Sequence, residues 1–300
     1  MPVRNPLAAT PSRSRKPDEL PQFVRPAAAA GRTWENPSVK NPTIVDEITD
    51  ELAYRIAAGV YPPGELLPSV RQLAAEFGIS TPTANSALGR LAALGFVEAR
   101  RGLGNIVRDI YLYGGIDTAH YIFRHSRQLP ERAAKIFADI IDVDHLLLMQ
   151  TIRTVAADPR RYDLTALARA VDRFELLVSA GRAGVSEIME AELHVLRVGF
   201  AAVGQSAFLN LFNSVGDILI ATPEAGDAFY EPLEPAGHVQ VARQLLALWQ
   251  SETPIDTAAI DMVDTLIRAY HDQVVEHFRQ LVTAAATTAE PRTEVPAVAP

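Results

Sequence analysis

Glu76–Leu91 reads EFGISTPTANSALGRL. A helical pattern runs into this stretch and another runs out of it, and Gly78 and Ser80-Thr81-Pro82 stand at the join. Glycine accepts a left-handed backbone at little cost, so Gly78 stops the first helix. Ser80 then offers its hydroxyl to a free backbone N–H in the first turn of the next helix. Pro82 falls inside that turn, where a missing N–H does no harm. Two short helices therefore meet across a tight turn, and the second projects from the body.

Outward from this join the pattern continues. Ser69 caps the first of the two helices, with Val70, Leu73, Ala74 and Phe77 on one side. Further upstream Ile44, Ile48, Leu52 and Ile56 recur every fourth residue, one face of a helix. That helix ends at Gly59, before Pro62-Pro63-Gly64. Downstream, Ala84, Ala87, Leu88 and Leu91 line the inner side of the projecting helix as far as Gly95. Phe96-Val97 and Ile106-Val107 then flank EARRGLGN, the pattern of a β-hairpin with a glycine-containing loop. The spacing predicts a winged helix-turn-helix over 42–112, with helices at 69–77 and 80–94 and a wing at 96–108. That arrangement presents its third helix to the DNA major groove.

After Val107 the strand signal stops. Helical spacing of apolar residues recurs over 117–142, 145–157, 163–180, 184–204, 206–221, 236–251 and 256–283. Breaks are expected at Pro130, Asp158-Pro159, Gly181, Gly204 and Pro223. About seven helices form an all-α bundle over 113–283, large enough to enclose a ligand cavity. The fold class is mainly α, a winged helix-turn-helix followed by an all-α effector-binding bundle. Residues 1–41 are rich in Pro, Ala, Arg and Ser and read as a disordered basic tail. Residues 284–300 read as a second disordered tail.

Charge follows the same division. The chain has 300 residues and a net charge of −8. Residues 1–43 carry seven Lys/Arg against three Asp/Glu, 44–110 six against eight, and 111–300 fifteen against twenty-five. A near-neutral head behind a basic tail, joined to an acidic domain, suits a nucleic-acid module with a partner domain. The chain contains no cysteine, which excludes disulfides and thiolate chemistry. No apolar run approaches the ~18 residues a membrane helix needs. The expectation is a cytoplasmic protein without membrane contact. Gly102-Leu103-Gly104 is not a dinucleotide loop, because Val107 stands where the third glycine would fall. There is no phosphate-cradling P-loop and no nucleophile elbow, so an enzyme is not expected.

The stretch AAGVYPPGELLPSVRQLAAEFGISTPTANSALGRLAALGFVEARRGLGNIV, Ala57–Val107, closely resembles the DNA-binding domain of GntR-type bacterial transcription regulators. The bundle is similar to the effector-binding domain of the FadR-like branch, with RVGFAAVGQSAFLNLFNSV, Arg197–Val215, as its most suggestive piece. The resemblance implies a homodimer on a two-fold DNA operator, acting as a metabolite-responsive repressor. Its effector would be a small carboxylate or an acyl-CoA. It places Ser69, Arg71, Thr81, Thr83, Asn85 and Arg90 at the DNA, with Arg100, Arg101 and Gly102 of the wing. Two departures matter. Val70 stands where the family usually has Glu, and Thr81 and Asn85 stand where it usually has Arg. Asn can still pair with adenine and Thr can meet a thymine methyl. An operator unlike the branch's usual one is expected.

Glu190 and His194 lie four apart on one helix and so share a face. Many members of the broader family hold a divalent metal, zinc or similar, at this spacing with later histidines. Here His238, and Tyr270 with His271 beside it, stand near those later positions. A second reading has no metal. In it Arg197, His238 or His271 pairs with an effector's carboxylate or phosphate. A third makes the bundle a dimerisation unit only, on a constitutive DNA-binding or architectural protein.

Overall fold

The computed structural model describes residues 43–250 and 255–288. Both expected tails fall largely outside this range. The head begins with α1, Ile44–Ala58. Thr43 Oγ1 accepts the Asp46 N–H at 3.2 Å, and the Asp46 carboxylate accepts the Thr43 N–H at 2.9 Å. This reciprocal cap satisfies two otherwise orphaned donors. α2, Val70–Glu76, starts in the same way, with Ser69 and Gln72 exchanging hydrogen bonds. Gly78 takes φ 63°, and α3, Thr81–Ala93, starts from Ser80, whose Oγ accepts the Thr83 N–H at 3.3 Å. The wing pairs β1, Val97–Arg100, with β2, Gly104–Val107, antiparallel.

The sequence pattern did not show one feature of the head. Residues 64–67 lie along the free edge of β2. Leu67 donates to Asn105 O at 2.9 Å, and Val107 donates to Glu65 O at 2.8 Å. The Pro-rich link after α1 is thereby tied to the wing. It also covers a strand edge that would otherwise be open.

Beyond the wing come α4, Ile110–Tyr113, and α5, Ile116–Arg124. There follow α6, Pro130–Ala157, α7, Thr165–Ser179, α8, Val185–Ala202, and α9, Ser206–Ile220. α10, Pro223–Tyr230, α11, Pro235–Trp249, and α12, Thr257–Thr288, complete the bundle. Among the described residues these are nine α-helices rather than seven. The expected gap at 143–144 is absent, and α6 runs through it unbroken. Pro130 and Pro223 open helices, because a proline in the first turn loses no hydrogen bond. The short helix after Pro223 was not expected. α12 also continues past 283 to Thr288.

α6 and α12 form the spine, with Phe137 stacked on Phe278 at 3.9 Å between ring centroids. A second apolar cluster, with Ile152, Phe174, Leu246 and Trp249, lies on the α7–α11 side. The first cluster runs without a break from Leu52, Leu91 and Phe96 in the head to Ile122 and Phe137 in the bundle. Phe96 meets Tyr121 of α5 edge-on at 5.8 Å. Thr118 Oγ1 donates to Leu94 O at 3.1 Å. Asp50 of α1 accepts from Arg124 Nη1 at 3.1 Å and stands 3.1 Å from His125 Nε2. Burial works to raise the Asp50 pKa, but His125 and Arg124 outweigh it and hold it below the ordinary carboxylate value. Among the described residues no helix is long and apolar enough to cross a membrane.

Candidate nucleic-acid interface and buried polar cluster

α3 buries Ala84, Ala87, Leu88 and Leu91 against the head. Its opposite face therefore presents Thr81, Pro82, Asn85, Ser86, Gly89 and Arg90 to solvent. Asn85 is exposed with its amide unengaged among the described residues, so its donor and acceptor are both free. Thr83 is half-buried, and its hydroxyl lies 2.7 Å from that of Ser80. It therefore supports the cap rather than projecting outward. Ser69 is engaged in the same way with Gln72.

The cations of this surface divide into two kinds. Arg90 is ion-paired with Asp46 of α1. Hydrogen bonds from Thr43, joined by the Arg90 guanidinium, keep that carboxyl below its usual range. Arg100 pairs with Glu98 at 3.1 Å on the same face of β1. Arg71 on α2 and Arg101 at the wing tip are exposed, and neither meets a carboxylate among the described residues. Gly102 beside Arg101 turns the wing with φ 81°. The Glu98–Arg100 pairing was legible from the period of two along a strand. The Asp46–Arg90 pairing spans 44 residues and had no local signal.

In the bundle the structure corrects the expected site. Glu190 and His194 share a face, but it is the exposed outer face of α8. Arg197 turns to α9, where Nε donates to Asn213 Oδ1 at 2.9 Å. The residue that points inward is Glu192, which accepts from Tyr230 Oη at 2.8 Å and from His238 Nδ1 at 2.7 Å. Tyr270 Oη donates to Phe229 O at 2.8 Å and lies 3.2 Å from His238 Nε2. Nδ1 of His238 faces the Glu192 carboxylate, which favours a protonated imidazole. Burial opposes that charge, yet Glu192 raises the His238 pKa overall.

Next to this chain of contacts lie three buried groups with orphaned atoms, Asp144 Oδ1, His145 Nδ1 and His271 Nδ1. Burial pushes the Asp144 carboxyl up to about 7 and the His271 imidazole down to about 4. The His145 and His271 rings stand 5.3 Å apart, edge to face, and His145 Nε2 is 2.8 Å from Asp264. Orphaned buried polar atoms are uncommon and mark a place where a further polar group is wanted. Of the six expected effector residues, His238, Tyr270 and His271 come together here. Glu192, Asp144, His145 and Tyr230 were missed. Among the described residues no group of three or more His, Asp or Glu is arranged to hold a metal ion. Glu190 and His194 face away and Tyr270 offers a phenol, so the expected divalent-metal site does not fit.

Residues 44–107 match the family model described as bacterial regulatory proteins, gntR family. The HTH-type transcriptional regulator Mce2R of Mycobacterium tuberculosis is 40% identical over 79 residues, 26% of this chain and 33% of that one. The uncharacterized HTH-type transcriptional regulator YhcF of Bacillus subtilis is 33% identical over 63 residues, 21% of this chain and 52% of that one. The first of these matches spans about a third of its relative's length. One solved structure is described by the sentence "Lar controls the expression of the Listeria monocytogenes agr system and mediates virulence". It superposes with a TM-score of 0.51 at 14% identity, over 81% of this chain and 99% of that one. At that identity the likeness concerns the fold, a helix-turn-helix head followed by a helical domain. Over residues 44–107 the head is similar to the gntR family of bacterial regulatory proteins.

Proposed function

We propose that this protein is a sequence-specific transcription regulator that binds a two-fold operator as a homodimer and does no catalysis. The observation that carries the reading is the outward face of α3. It is solvent-exposed, rigidly capped and flanked by Arg71 and by Arg101 of the wing, on a GntR-type head. One such helix covers only a few base pairs, so two half-sites are the usual route to specificity. With Arg90 and Arg100 already paired to carboxylates, base-edge contacts by Asn85 and Thr81 carry more of the recognition than phosphate contacts do. The bundle is the sensor, in the manner of the FadR-like branch. The cluster around Glu192, His238 and Asp144 is the candidate effector site, because its orphaned atoms await hydrogen-bonding partners. A ligand acts there only through different affinities for two placements of the heads. The cluster holds two carboxyl groups, Asp144 and Glu192. It therefore suits an effector that offers donors better than a bare carboxylate.

The test is capture of genomic fragments on the purified protein, with footprinting of the enriched pieces. A discrete palindromic site is expected, and guanine-rich half-sites read by arginine are not. Enrichment without a common site, lost smoothly with salt, would overturn the regulator reading in favour of an architectural role.

A further inference from the structure

A recess of about 300 Å³ opens between α4, α5, α6 and α9. Its walls include Ile110, Ile116, Ile122, Ile136, Ile140 and Val215. It shares no residue with the polar cluster. The volume lies at the lower end of the ~300–1,000 Å³ typical of small-molecule sites, and an apolar lining with few polar groups is their usual character. The rim is apolar as well, and Tyr111 (52%), Leu211 (41%) and Val143 (36%) are each partly exposed.

The charges around the mouth narrow the choice of ligand. Asp139, on the lining, is matched by Lys135 at 2.9 Å. Arg132 donates to Tyr111 Oη at 3.1 Å and lies over the Tyr111 ring, and it meets no carboxylate among the described residues. One cation thus stands unmatched beside an apolar recess. A guanidinium pairs best with an oxyanion, through charge-assisted hydrogen bonds.

We propose that this recess binds a small amphiphilic anion, its apolar body between α5, α6 and α9 and its charged end at Arg132. Position gives the site a consequence. The lining includes Thr118, whose hydroxyl ties α5 to Leu94 of the head, and α4, the single turn that joins wing to bundle. A body lodged here presses on both sides of the joint between head and bundle. The inference does not rest on the DNA-binding reading, and its test contains no DNA.

The probe is 8-anilinonaphthalene-1-sulfonate, titrated into the full-length protein and followed by its fluorescence. Saturable binding of one probe per chain is expected. Val143→Trp on α6 and Leu211→Trp on α9, which fill the recess from partly exposed positions, should each abolish it with the far-ultraviolet circular dichroism unchanged. Arg132→Ala should weaken binding about tenfold, the loss of one charge-assisted contact. A signal that survives both tryptophan variants, or that is indifferent to Arg132, overturns the proposal. So does a signal that fades as protein concentration rises, because a second copy of the chain would then be the occupant.

Discussion

Of the four arginines expected at the DNA, Arg71 and Arg101 meet no carboxylate among the described residues, whereas Arg90 and Arg100 are ion-paired. Arg101→Ala should weaken operator binding and lower the salt slope by about one unit, as expected for one lost phosphate contact. Arg100→Ala, whose charge Glu98 already offsets, should change the slope less. Fluorescence anisotropy over a salt series separates the two. Inside the bundle, Asp144 has a folded-state pKa of about 7, above its ordinary value of 3.8. Ionisation therefore favours the unfolded chain. The group does no harm near pH 4, and stability falls as pH rises towards 7. Asp144→Asn should match the wild type near pH 4 and exceed it by about 2–4 kcal/mol above pH 7, in urea titrations at each pH. His238 leans the same way. Its pKa is raised, so the pairing with Glu192 stabilises fully below about 6.5 and is lost as pH passes the folded value. His238 was legible from the sequence as a pocket candidate, whereas Asp144 and Glu192 were not. Glu190 and His194 have the right spacing, but spacing does not say which way a helix is turned. The buried set Met189, Leu193 and Phe200 fixes that phase and brings Glu192 to the inside.

At the scale of the elements, two glycines of the head make opposite predictions. Gly89 is exposed in the middle of α3, and a Cβ there would meet nothing within 4 Å. Gly89→Ala should stabilise by about 0.5–1 kcal/mol through helix propensity alone. Gly95 takes φ 86°, and a Cβ there would lie 2.7 Å from the carbonyl oxygen of Tyr113. Gly95→Ala therefore adds a backbone clash to left-handed strain of about 1–2 kcal/mol, and should destabilise by more than that strain alone. Thermal melts of the two variants should move in opposite directions. The helices of the head were legible because each boundary carries its own chemistry: Ser69, Ser80, Gly59 and Gly78. The bundle was less so. Asp144 interrupts the apolar rhythm of α6 without interrupting the helix. Pro223 looked like an end and proved to be a beginning.

At the scale of the molecule, one apolar cluster spans the head and the first part of the bundle. Phe96 sits at its middle, fully buried against Tyr121. Phe96→Ala should lower stability by about 3–5 kcal/mol. It should also speed hydrogen exchange in α5 and α6 as well as in the head. Faster exchange confined to residues 44–107 would mean that the two parts are only adjacent. No sequence pattern announced this continuity, because the periodicity of a helix names the buried face and leaves the neighbour unnamed.

The shared core bears on genetics. A selection for alleles that lose operator binding would return changes at Asn85 and Arg101. It would also return changes at Thr118, Tyr121 and Arg124, which lie on α5, outside the helix-turn-helix. These second alleles would make protein in which the reading helix is intact and wrongly aimed. Some of them should be rescued by a second change at Asp50 of α1, the partner of Arg124, which no α3 allele would accept as a suppressor.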